Sequence, residues 1–132
     1  MSGVNIWAVL VAAVSSFALG GLWYSPVLFH KVWNREAGRG ETPEKAKHPG
    51  RVFGVAFLFA LIAAGVFAYW LGPDPQLNDA LRKGLAAGAG FVAASFGINY
   101  QFANRSFLMW AIDGGYHTVQ FVTFALVLSL WP

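Results

Sequence analysis

Apolar residues fall in four long stretches, and the charges between them mark where each stretch stops. Residues 1–30 carry no charge, nor do 52–73 or 84–104, and residues 106–132 carry only Asp113. A helix needs about 20 residues to cross a hydrocarbon core of roughly 30 Å, so the pattern predicts spans over residues 4–29, 52–71, 80–100 and 107–130. The expected fold is all-α: an integral membrane bundle of four antiparallel transmembrane helices, filling residues 1–132 as a single domain.

Local signals refine each element. The first span opens without the Lys/Arg start of a secretory signal peptide and is read as retained; Pro26, after Trp23-Tyr24, predicts a kink or interfacial bend. Residues 30–51 read as a polar cytoplasmic connection with a short helix starting at Thr42-Pro43-Glu44. In the second span Ala56, Ala60, Ala64 and Ala68 share a helix face, and Gly72-Pro73-Asp74-Pro75 ends it. The third contains Gly84, Gly88, Gly90 and Gly97, with Gly84 and Gly88 at the spacing of close helix pairs; together with Gly20 and Gly21 these glycines are the expected packing positions.

Composition sharpens the class. Apolar and aromatic residues make up 57% of the 132 residues and charged ones 11%, against about 45–50% and about 25% in soluble domains. Without cysteine there is no thiolate chemistry. Of nine basic residues six lie between Lys31 and Arg51, which reads as orientation in a membrane, so nucleic acid is not an expected partner. The basic connection and Arg105 fall on the cytoplasmic side, and both termini on the periplasmic side of a bacterial inner membrane.

Asp113 is the one acid inside a span, where a charge costs at least several kcal/mol. Tyr116, His117 and Gln120 follow on the same helical face, giving a buried polar stripe. Its structural reading is hydrogen bonding of Asp113 and His117 to each other or to neighbouring helices; its functional reading is a transport site for protons, an ion or a small-molecule ligand. Trp23, Tyr24, Asn99, Asn104 and Arg105 form a second candidate site at the inner end, either an anion-attracting vestibule or headgroup contacts. Asp113 and His117 alone are too few ligands for a zinc site, so no metal, cofactor or catalytic residue is assigned.

Gly21-Leu22-Trp23-Tyr24 is echoed by Gly97-Ile98-Asn99-Tyr100 in a helix of the same direction, as a parallel repeat of the two halves would produce. Gly21-Leu22-Trp23-Tyr24-Ser25-Pro26, Phe29, Trp33, Asn99-Tyr100 and Asp113-Gly114-Gly115-Tyr116-His117 together resemble a bacterial family of four-span membrane proteins, domain of unknown function seventeen sixty-one. The resemblance covers nearly the whole chain and implies the fold; it brings no reaction. The functional expectation is a structural or interaction protein in contact with lipid that self-associates as a homo-oligomer. The alternatives are a proton-coupled transporter or ion channel using Asp113 and His117, and a membrane-embedded enzyme.

Overall fold

The computed structural model describes residues 4–38 and 49–131. These form helices and turns, with no strand among the described residues: α1 Ile6–Trp23, α2 His30–Glu36, α3 Pro49–Leu71, α4 Leu77–Leu85, a π-helix Ala86–Ala93, α5 Ala94–Phe102 and α6 Phe107–Leu130. The expected helix start at Thr42-Pro43-Glu44 lies outside the described residues. Among the described residues two helices, Ile6–Trp23 and Gly50–Leu71, are long and apolar enough to cross a membrane. The other two expected spans depart from that standard for physical reasons. Residues 77–102 are helical throughout but change type at Ala86 and again at Ala94, and α6 is interrupted in its apolar run by Asp113, His117 and Gln120.

The ends of α1 are set by side chains. Asn5 Oδ1 accepts from the backbone N–H of Trp7 at 3.1 Å and of Ala8 at 3.2 Å, while its Nδ2 donates to the Trp131 carbonyl at 3.3 Å; one side chain caps α1 and ties its start to the end of α6. The helix stops at Trp23, short of the expected Phe29. Pro26 has no N–H for the Leu22 carbonyl, which takes the Ser25 N–H at 3.1 Å and the Ser25 hydroxyl at 2.7 Å instead. The chain then turns through residues 24–29 into α2. Residues 30–36, expected as part of a solvated connection, form a helix in which Asn34 is buried.

Helix registers are antiparallel. Phe17 of α1 meets Phe57 of α3 edge-on at 5.2 Å between ring centres, and the alanine face of α3 is buried at Ala60, Ala64 and Ala68 but exposed at Ala56. Against α6, a Cβ at Gly84 would lie 2.7 Å from the Phe121 carbonyl oxygen and one at Gly88 2.6 Å from Thr118 Cα. Glycine is therefore required at both, and the two backbones approach as closely as this spacing permits. Gly97 faces the Trp110 indole, and Gly20 makes ordinary contact with the Tyr116 ring. Gly21 and Gly90 have nothing within 4 Å of a Cβ placed there, so among the described residues they make no such contact. Gly114 and Gly115, which were not expected to pack, have Ala93 Cβ and the Trp23 ring 3.1 Å from their missing Cβ positions.

The core gathers where α1 begins and α6 ends, around Ala8, Ala12, Ala64, Phe67, Ala80 and Phe124. Phe67 reaches Phe121 and Phe124 at 5.5 and 6.5 Å between ring centres. Toward the opposite end α3 diverges, and a groove of about 460 Å³ opens along Phe17, Gly20, Tyr24, Phe53, Ala56 and Tyr116. That opposite end is closed by polar contacts.

Candidate functional site

Asp113 sits two turns into α6 with 5% of its surface exposed. It accepts hydrogen bonds from three other elements. The Tyr24 hydroxyl, in the turn after α1, donates to Oδ1, and the Tyr100 hydroxyl of α5 donates to Oδ2. Trp33 of α2 aims its indole N–H between the two oxygens, 3.0 Å from Oδ1 and 3.2 Å from Oδ2. A carboxylate is an acceptor at both oxygens, so donors and lone pairs match. Among the described residues no cation pairs with it.

Local sequence explains why these groups converge. The Pro26 turn swings Tyr24 and α2 across the start of α6, and the Trp23 indole pins the same turn by donating to the Ile112 carbonyl at 2.8 Å. At the other side Trp110 donates to the Ala93 carbonyl at 2.7 Å. Ala93 is the last residue of the π-helix, where the bonding pattern changes and a carbonyl needs an outside donor. A second tether joins α2 to α6: the Ser106 hydroxyl, which also caps α6 through the Met109 N–H at 3.1 Å, hydrogen-bonds Glu36. That bond, helped by Arg35 at 3.4 Å, holds the Glu36 carboxyl below its ordinary value.

The polar stripe expected on α6 divides in two. Asp113 does not bond to His117. His117 Nδ1 lies 2.7 Å from Gln120 Oε1, Gln120 Nε2 donates to the Ser16 hydroxyl at 3.2 Å, and the Tyr116 hydroxyl donates to the Ser16 carbonyl at 3.1 Å. The His117 ring also stands edge-on to Phe96, 4.9 Å between centres. This network joins α6 to α1 as the Asp113 cage joins α6 to α2 and α5.

The inner-end set is also divided. Tyr24 belongs to the Asp113 cage and Trp23 pins the turn that carries it, whereas Asn99, Asn104 and Arg105 are exposed and form no bond to it. Asn104 has a local role: at φ 62° it closes α5, with the Arg105 N–H returning to the Tyr100 carbonyl at 2.8 Å. Sequence reasoning missed Trp33 and Tyr100 as partners of Asp113. A signal for Tyr100 existed, because the echoed segments end in Tyr24 and Tyr100, and these two hydroxyls take the two oxygens of one carboxylate. Trp33 stood out only as an aromatic ring in a charged stretch.

Three donors at about 1.5–3 kcal/mol each for bonds to a charged group are comparable with the several kcal/mol needed to bury a carboxylate. The cage therefore holds Asp113 in place only while its donors are intact. Among the described residues no three of His, Cys, Asp or Glu converge on one point. No curated protein and no solved structure matches the chain. A family model described as "Protein of unknown function (DUF1761)" matches residues 7–129.

Proposed function

The chain belongs to this family of proteins of unknown function, and on that footing we propose a small four-span protein of the bacterial inner membrane, acting as a structural or interaction component that self-associates. The observation that carries this reading is the Asp113 cage. The acid is engaged by donors from three elements, as a fastening requires; a transport site would instead leave lone pairs for its cargo.

Lengths and charges support four crossings. At 1.5 Å per residue α6, of 24 residues, extends about 36 Å, enough for a core of roughly 30 Å. The four antiparallel rods put Lys31, Arg35, Arg51 and Arg105 at one end with Glu36, while the other end balances Arg82 and Lys83 with Asp74 and Asp79. The positive-inside tendency then orients the cage end to the cytoplasm and both termini to the periplasm. Gly21 and Gly90, open among the described residues, are positions where a second copy could approach closely.

Asp113→Asn tests the role. Replacing one oxygen by an NH₂ group faces the donors of the cage with another donor, so thermal unfolding in detergent should move down by the equivalent of about 1–3 kcal/mol. Wild-type proteoliposomes should conduct neither protons nor small ions. Flux in the wild type that Asp113→Asn abolishes would overturn the structural reading in favour of transport.

A further inference from the structure

A groove of about 380 Å³ lies between α5 and α6 at the basic end of the molecule. The walls are apolar, formed by Ile98, Phe107 and Trp110, with the Trp110 indole packed against Gly97. Arg105 and Ser106 also line it. Arg105 is exposed and has no acid within salt-bridge distance among the described residues.

We propose that this groove binds one anionic phospholipid, its phosphate on Arg105 and one acyl chain along Ile98, Phe107 and Trp110. The inference rests on the membrane reading above. A guanidinium presents paired N–H donors that match a phosphate, and apolar walls match a chain but no soluble anion. The acids nearby are already engaged: Glu36 pairs with Arg35 at 3.4 Å and takes the Ser106 hydroxyl, and Asp113 is held by its cage. A zwitterionic lipid would offer the same chain, but its ammonium offsets the phosphate that Arg105 selects.

The test uses the full chain in neutral detergent micelles, with phosphatidylglycerol or phosphatidylcholine carrying brominated acyl chains that quench nearby tryptophan. The chain has six tryptophans, so groove occupancy is read as the part of the quenching that Trp110→Phe removes. Phosphatidylglycerol should quench at about fivefold lower lipid fraction than phosphatidylcholine, the preference one basic residue gives near an anionic headgroup. Arg105→Gln, at an exposed position, should erase that difference, whereas Arg82→Gln at the opposite end should leave it unchanged. Equal quenching by both lipids, or an equal loss in both variants, overturns the proposal. So does displacement by glycerol phosphate, which has the headgroup and no chain. Carbonate extraction of membranes bearing the wild-type protein separates the two readings. A chain stripped from the membrane defeats the membrane reading, and a chain retained but indifferent to headgroup charge defeats the lipid site alone.

Discussion

Asp113 shows how a single side chain couples sequence-distant segments. Its three donors are not equivalent: Tyr24 and Tyr100 each serve one oxygen, whereas Trp33 is shared. Tyr24→Phe or Tyr100→Phe removes one hydroxyl and little volume, leaving a buried acceptor short of one donor. Each should lower unfolding stability in detergent by about 1–3 kcal/mol, and the double variant should depart from additivity because both act through one carboxylate. Strict additivity would mean that the two hydroxyls do not share Asp113. The sequence made Asp113 itself legible, because one acid in an apolar span stands out. Its partners were hidden because hydrogen bonding between helices depends on rotation and register, which a four-residue spacing on one helix does not contain. For the same reason His117, four residues along the same face, pairs with Gln120 and not with Asp113.

At the scale of elements, the long helices follow from apolar length, and their ends from Asn5, Ser106, Pro26 and Asn104. The lengths were readable, but α2 and the π-helix were not. α2 has only 7 residues, several of them charged, so the burial of Asn34 and half-burial of Trp33 come from tertiary contact and not from its own pattern. The π-helix lies in an Ala/Gly-rich stretch whose composition suits any helix type; what distinguishes it is the Trp110 indole supplying the Ala93 carbonyl. The pairing of α4 and the π-helix with α6 depends on two small sites. Gly88→Leu would drive a side chain into the Thr118 backbone, 2.6 Å from the first added atom, and should prevent folding or lower stability by about 3 kcal/mol, the upper end of the usual range for overpacking. Gly90→Leu, with nothing within 4 Å, should leave monomer stability within about 0.5 kcal/mol. Equal effects would contradict the register of these helices.

For the whole molecule, the placement of charge at the two ends predicts sidedness. With no native cysteine, single cysteines at exposed Lys31 and Gln76 can be labelled with an impermeant thiol reagent from either face of the membrane. Lys31→Cys should react only from the cytoplasmic side and Gln76→Cys only from the periplasmic side; reaction of both from one side would refute the four-span arrangement. The cage also has a place in time. Tyr24 and Trp33 precede Asp113 by 89 and 80 residues, whereas Tyr100 precedes it by 13. The α5–α6 hairpin can therefore bring Tyr100 to the carboxylate as soon as α6 is made, at little loop-closure cost. Tyr24 and Trp33 must wait for 89 and 80 further residues before their acceptor exists, so the bond that secures α1 forms only after α3, α4 and α5 have been made.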